Sequence, residues 1–289
     1  MSTACEGTLS ANLENRVFLV TGANSGIGKA TALGLARLGG TVVMACRSAT
    51  RGEAARQDVV RDSGNSKVYL EIVDLASEES TRSFAEQFKR KYPRLDVLVN
   101  NAGVYTSHRE VTQDGLERTF EVNYLSGFLL THLLLDLLKK SAPSRIVNVS
   151  SSAHVGGTIH FDDLQGEQRY SGFGAYGQSK LAQVLFTREL ARRLEGTGVT
   201  VNACHPGVIR TNLGFGGASV IVRFVRMFFK GPEKGAETPI YLAVSPDVEG
   251  VTGKYFANKR VREPSRVAQD PDVARRLFDV SVKLAHLAA

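Results

Sequence analysis

A tyrosine and a lysine stand four positions apart in "YGQSK", as Tyr176 and Lys180. On a helix that spacing puts both side chains on one face, one turn apart. A phenol with a pKa near ~10 is a poor acid or base at neutral pH, and a neighbouring ammonium favours its ionised form. Lys180 would therefore make an acid–base of Tyr176, able to give a proton to a carbonyl oxygen or take one from an alcohol. Alone, the pair is a common coincidence. It gains meaning from three consecutive hydroxyls, Ser150, Ser151 and Ser152, which are suited to hold the reacting oxygen. Asn123, in "FEVNYLSG", interrupts a helical stretch where asparagine is mildly disfavoured. A buried polar task, such as tethering a water that passes protons to Lys180, would justify it.

A second set of residues suits binding. Residues 21–28 read "TGANSGIG", with glycines spaced Gly-x-x-x-Gly-x-Gly between the apolar run "VFLV" and the helix-forming "KATALGLARLGG". Glycine tolerates a tight turn and a close ligand, and a helix N-terminus attracts phosphate. The stretch reads as a diphosphate cradle, although its spacing departs from the Gly-x-Gly-x-x-Gly fingerprint; a plain glycine turn is the alternative. After the next apolar run, "TVVMAC", an acid would hold a ribose 2′-hydroxyl, but the chain has Cys46, Arg47 and Ser48. Arg47 suits a 2′-phosphate, unless it is simply an exposed loop arginine. Asp74 is placed for an adenine amino group, or to cap the following helix.

These residues need a frame. Strand-like runs at 17–20, 41–46, 68–73, 96–99, 145–149 and 199–204, with a weaker one near 254–257, alternate with helical stretches such as 78–91, 113–140 and 175–194. Alternation of this kind implies an α/β fold: a doubly wound, Rossmann-type parallel sheet of about seven strands, with helices on both faces and ligands at the carboxyl ends of the strands. "TGANSGIG", "CRS", "VDL", "NNAG", "SSS" and "HPG" each follow or close one of the six stronger strands. One site fed by all six loops accounts for this.

Composition narrows the rest. A chain of 289 residues without repeats or long linkers reads as one domain over 1–289, with a small lobe at about 210–235. The net charge of +7 is spread out, and basic clusters such as "RELARR" and "NKRVRE" contain acids, which speaks against a nucleic-acid surface. Cys5, Cys46 and Cys204 are too scattered for a disulfide frame or a zinc site, so free thiols, a reducing compartment, a cytoplasmic location and no metal are expected. The N-terminus does not read as a signal peptide, and no apolar run reaches the ~18 residues of a membrane-spanning helix. Residues 214–235, "GFGGASVIVRFVRMFFKGPEKG", are apolar nearly all round between glycine-bearing ends. They read first as a lid over a bulky apolar substrate, second as a peripheral membrane-surface element, third as core.

Taken together, "TGANSGIG", "NNAG", Asn123, the serine cluster, "YGQSK" and "HPGVIRT" resemble the short-chain dehydrogenase/reductase superfamily over about residues 15–260. That superfamily uses the Gly-x-x-x-Gly-x-Gly spacing. The resemblance implies a catalytic tetrad of Asn123, Ser151, Tyr176 and Lys180, the second serine of the run being the usual one. It implies a nicotinamide cofactor held by Gly22, Asn24, Ser25, Gly26, Ile27, Gly28, Arg47, Asp74, Leu75, Asn101, Ala102, Gly103, Tyr176 and Lys180. Pro206, Gly207, Val208 and Thr211 would hold its nicotinamide end.

"VFLVTGANSGIGKATA", "ACRS", "IHFDDLQGEQRY" and "SKLAQVLFTRELARRL" are most similar to the retinol dehydrogenase branch. This implies NADP(H), an apolar carbonyl or alcohol substrate and, with the broad apolar faces of 113–140 and 175–194, a homodimer or homotetramer. Two departures stand out: no N-terminal membrane anchor is read here, and Ser151 and Tyr176 stand 25 positions apart, more than the superfamily usually has. The intervening stretch is expected to wall the substrate pocket. The rival readings are reduction of a carbon–carbon double bond, as in the similar light-dependent protochlorophyllide reductases, and a catalytically silent nucleotide-sensing scaffold.

Overall fold

The computed structural model describes residues 13–207 and 231–288. The strands are β1 (Val17–Thr21), β2 (Thr41–Cys46), β3 (Val68–Ile72), β4 (Val97–Asn100), β5 (Ser144–Val149), β6 (Val199–His205), β7 (Tyr255–Ala257) and β8 (Arg260–Arg262). They form one sheet in the order β3-β2-β1-β4-β5-β6-β7-β8. The pairings are parallel as far as β7, and β8 returns antiparallel to it. β8 is one strand more than the sequence suggests. Its exposed "RVR" carries no burial signal, and a two-residue turn with Asn258 and Lys259 at φ 51° and 61° brings it back along β7.

Apolar residues on both sides make the central strands two-faced. Val17 and Leu19 of β1 enter one core, Phe18 and Val20 the other. The first core is closed by α3 (Glu78–Lys91), α5 (Ser126–Leu133), α7 (Gly172–Arg193) and α9 (Pro271–Leu284), through Phe88, Phe128, Phe186 and Phe278 among others. The second is closed by α1 (Gly26–Arg37), α2 (Ala49–Ser63) and α8 (Pro232–Val244), through Leu35, Val59 and Leu242.

The expected helix at 113–140 is not continuous. A glycine turn comes first, with Gly115 at φ 78°, and Val111 bridges Glu117. Glu117 then accepts from the N–H groups of Thr119 and Phe120 at 2.8 and 2.6 Å, which starts the helix at α4 (Arg118–Phe120). A π-helical turn, Glu121–Leu125, carries Asn123, and α6 (Leu135–Lys140) follows α5. The apolar faces that suggested subunit pairing are spent inside the chain: Leu129, Leu130, Leu181, Leu185, Phe186 and Leu190 are all core.

β1 and β4 are neighbours, with the chain crossing over in opposite directions from them. That is the switch point at which doubly wound sheets open a crevice beyond their carboxyl ends. A cleft of about 940 Å³ lies there. Of the expected lid, residues 208–230 lie outside the described residues, and Gly231 and Pro232 begin α8. Among the described residues, no helix is long and apolar enough to cross a membrane, and no group of three or more His, Cys, Asp or Glu stands ready for a metal ion.

Candidate active site

The floor of the cleft is the turn from β1 into α1. Gly22 and Gly26 have φ of +64° and +54°, which side chains resist. Gly28 is glycine for a different reason: a Cβ there would lie 2.4 Å from both Asn101 Nδ2 and the Gly22 carbonyl oxygen. Asn101 in turn donates to the Thr21 carbonyl at 2.8 Å, and Thr21 Oγ1 accepts from the N–H groups of Asn101 and Ala102, each at 3.0 Å. Asn101 and Ala102 therefore brace the cradle as well as line it. Ser25 heads α1 without a side-chain cap, and the first turn holds no acid. Its leading N–H groups remain for an anion, and at Gly26 a Cβ would meet nothing within 4 Å. The turn fits a nucleotide diphosphate.

At the outer end, past β2, Arg47 and Arg51 line the cleft, and the side chain of neither has a hydrogen bond or ion pair among the described residues. Arg118 also lines it but is paired with Glu110 at 2.8 Å. Asp74 accepts from the Ala76 N–H at 3.0 Å, and Ser77, not Asp74, caps α3. The capping alternative for Asp74 is thereby removed. Ile27, Asn24, Leu75, Gly103 and Pro206 complete the expected wall. Gly207 adjoins it at φ 93°. Val208 and Thr211 lie outside the described residues.

At the inner end, one turn of α7 presents Tyr176 half-buried and Lys180 fully buried behind it, its Nζ 5.5 Å from the phenol ring centre. The structure separates the three serines. Ser150 Oγ donates to the Lys180 carbonyl at 2.7 Å and so faces the helix. Ser152 is exposed, and its N–H donates to His205 Nδ1 at 3.2 Å. Ser151 is the one whose hydroxyl bears on the Tyr176 phenol, favouring its ionised form.

The two ionisations do not follow the simple expectation. Burial raises the Tyr176 phenol above its ordinary value, with the Ser151 hydroxyl pulling the other way. Burial also lowers the Lys180 ammonium to about 8. Desolvation outweighs the mutual help expected of the pair, so Tyr176 keeps its proton at neutral pH.

Asn123 sits behind the wall, 3% exposed. Its Oδ1 accepts from the Val104 N–H at 2.7 Å, and its Nδ2 donates to the Val104 carbonyl and to Ser179 Oγ, each at 3.0 Å. The side chain thus staples the loop after β4 to α7. Its backbone carbonyl is taken too, by Gln183 Nε2 at 2.7 Å. These protein contacts give Asn123 the buried polar task expected of it.

Several neighbours of these groups escaped the sequence reading. His154 donates through Nδ1 to the Ser151 carbonyl at 2.7 Å and accepts at Nε2 from the Ser265 N–H at 3.1 Å. With His205 it braces the serine loop, and burial lowers both imidazoles, keeping them neutral. Tyr105 and Phe173 meet at a tilt, ring centres 5.4 Å apart, with Tyr105 edge-on to Tyr176, an aromatic rim in which Phe173 is 71% exposed. Gly157 lies so close to α7 that a Cβ would come within 2.4 Å of the Gly177 carbonyl oxygen. Arg51, in the first turn of α2, also escaped the sequence reading.

The sequence profile of the short chain dehydrogenases matches residues 16–215. The chain belongs to that family. It resembles retinol dehydrogenases: it is 49% identical to retinol dehydrogenase 13 of Mus musculus over 96% of this chain and 86% of that protein. Among solved structures, an uncharacterised protein of Mycobacterium paratuberculosis matches with a TM-score of 0.80 and 35% identity, covering 96% of this chain and 95% of the other. A short chain dehydrogenase of Shigella flexneri, solved with NADP, matches at 0.68 and 27% identity over 86% of this chain and 99% of its own. The short-chain dehydrogenase described here is accordingly an oxidoreductase of the retinol dehydrogenase branch, with a nicotinamide cofactor and a carbonyl–alcohol couple as its chemistry.

Proposed function

We propose that this enzyme uses NADP(H) and interconverts an apolar, retinoid-like carbonyl compound and its alcohol, acting as a single domain. The observation that carries the reaction is that Tyr176 and Lys180 share the inner end of the cleft, with the Ser151 hydroxyl bearing on the phenol. The cofactor, when bound, supplies or accepts the hydride. The α1 N-terminus would hold its diphosphate, Asp74 its adenine, and Pro206, Gly207, Val208 and Thr211 its nicotinamide end. Arg47 and Arg51 would take a 2′-phosphate: both are without partners among the described residues and no acid follows β2. The Shigella flexneri structure solved with NADP supports that preference by likeness.

The chain's own part is proton handling. Tyr176 Oη holds a proton at neutral pH and gives it to the carbonyl oxygen, Ser151 Oγ fixes that oxygen, and Lys180 places positive charge behind the phenol. The raised phenol suits the acid role, hence reduction near neutrality and oxidation at higher pH. The aromatic rim of Tyr105 and Phe173 and the likeness to a retinol dehydrogenase support an apolar substrate.

The test follows loss of nicotinamide absorbance with NADPH or NADH against retinaldehyde and acetaldehyde. Preference for NADPH and for retinaldehyde is expected. Equal use of NADH would remove the cofactor assignment, and equal turnover of acetaldehyde the substrate class. A homodimer or homotetramer remains our reading from the resemblance, and a monomer mass by light scattering would overturn it.

A further inference from the structure

Lys180 is a buried ammonium without a counter-ion. Among the described residues no carboxylate pairs with it, and its Nζ donates to two neutral oxygens only: the Val149 carbonyl and Gln183 Oε1, each at 3.0 Å. Gln183 is itself 3% exposed and stands one helical turn from Lys180 on the same face. Its amide cannot turn freely, because Nε2 donates to the Asn123 backbone carbonyl at 2.7 Å. A flipped amide would set a carbonyl against a carbonyl and an NH₂ against an ammonium. The oxygen is therefore fixed toward Lys180.

We propose that Gln183 is a positioning residue of the reaction, its amide holding Lys180 by the oxygen and Asn123 by the nitrogen so that the charge stays behind Tyr176. The role follows from what a buried charge requires. Moving an ammonium out of water is expensive unless dipoles replace its hydration, and an oriented amide dipole does so without cancelling the charge. A carboxylate at this place would hold Lys180 more tightly but would neutralise its field at Tyr176. An apolar side chain would leave one donor of Lys180 and the Asn123 carbonyl unpaired.

Gln183 does not itself line the cleft, so it acts through Lys180 and Asn123.

The other titratable groups facing this cluster are few. Tyr176 lies on the same helix, and Cys204 comes from β6, its thiol pushed up to about 12 by burial. His154 and His205 sit in and beside the serine loop, both lowered by burial. None of them supplies a negative charge to Lys180 near neutral pH.

The proposal rests on the roles assigned to Tyr176 and Lys180 but is tested apart from them. The first readout is Lys180 itself: ¹³C,¹⁵N-lysine NMR of the cofactor-free protein, with the signal assigned by Lys180→Arg. Gln183→Met, close in shape and without the amide, is expected to lower the Lys180 ionisation by about one pH unit, a tenfold change in its constant. Gln183→Glu is expected to raise it.

The second readout is the pH dependence of kcat with NADPH and retinaldehyde. The alkaline limb should move down with Gln183→Met and up with Gln183→Glu, while KM stays put. If neither variant moves the Lys180 titration, and only thermal stability falls, Gln183 is packing alone and the proposal is wrong. If Gln183→Met does not fold, Gln183→Glu decides: an unmoved Lys180 signal overturns it. Should the wild-type protein fail to turn over retinaldehyde, the substrate reading fails, and the Lys180 titration still decides the role of Gln183.

Discussion

Lys180 should cost this protein stability, and the cost should be visible as a pH dependence. The perturbation is Lys180→Met, compared with wild type by urea unfolding of the cofactor-free protein from pH 7 to 10.5. Burial lowers the Lys180 ammonium from the ordinary 10.5 to about 8. Between those values the unfolded chain binds a proton that the folded chain does not. Stability therefore rises with pH across that window, by about 1.4 kcal/mol per unit at most, or about 3 kcal/mol in total. Below pH 8 both states are protonated and the penalty is present in full; above 10.5 it is gone.

The variant loses this dependence. It also leaves Gln183 Oε1 and the Val149 carbonyl without their donor, a loss of about 1–3 kcal/mol each. That loss does not depend on pH, so the measured quantity is the difference between the two curves, not either value alone. The other lysines and tyrosines cancel in the difference, and so does Cys204, which is pushed up to about 12 in the folded protein and so loses its proton within the window only from the unfolded chain, in both proteins alike. Wild-type stability minus variant stability should climb between pH 8 and 10.5. Parallel curves would mean that Lys180 ionises as an ordinary lysine and that its burial costs nothing.

Arg47→Ala and Arg51→Ala should each weaken NADPH by roughly tenfold, the lower end for a charged hydrogen bond because both side chains are exposed, and leave NADH unmoved; equal losses in fluorescence titrations with the two cofactors would remove the phosphate role. Tyr176→Phe should bind NADPH almost as wild type does and show no turnover between pH 6 and 10, whereas appreciable activity would sink the proton-donor assignment. Gly157→Ala places a methyl against the Gly177 carbonyl, so about 1–3 kcal/mol of stability and most of kcat should be lost together. A variant with wild-type melting temperature and kcat would show that the crossing of this loop with α7 is looser than the structure has it.

How much of this was legible in the sequence depended on whether a residue acts through a pattern or through a place. β1 to β6 announced themselves as short apolar runs, and the helix at Glu78–Lys91 matches its expected span, because burial on a sheet and amphipathic spacing are local signals. The 113–140 region misled because its apolar run is continuous in sequence, while the caps and the π turn that break it depend on Glu117 reaching back to the backbone. Tyr176 and Lys180 were readable from one helical turn, and Ser151 only as one of three hydroxyls until the structure turned Ser150 toward the Lys180 carbonyl. Gln183 and His154 were not readable at all. Each has one partner three residues away and a second 60 or 111 residues away, and nothing in a glutamine or histidine by itself says what it will face.

The same contrast explains why α7 holds Tyr176 in place. The helix is buried on nearly every side, and a mostly apolar surface constrains sliding and rotation only loosely. Polar groups set the register instead. Asn100 Nδ2 donates to Thr131 Oγ1 at 3.0 Å and to Asn148 Oδ1 at 2.9 Å, Asn148 Nδ2 donates to Thr187 Oγ1 at 2.9 Å, and Thr187 donates to the Gln183 carbonyl at 2.8 Å. This ladder runs from α5 across β4 and β5 into α7, directly beneath the cleft, and Ser150 Oγ on the Lys180 carbonyl adds a rung at the site itself. A shift of α7 by one residue, about 1.5 Å along its axis, would break these contacts in a buried setting where unpaired polar atoms are costly. Apolar packing supplies most of the adhesion of α7. The ladder selects the one position in which Tyr176 meets Ser151, and the buried charge of Lys180 is tolerated because Gln183 stands in that same register.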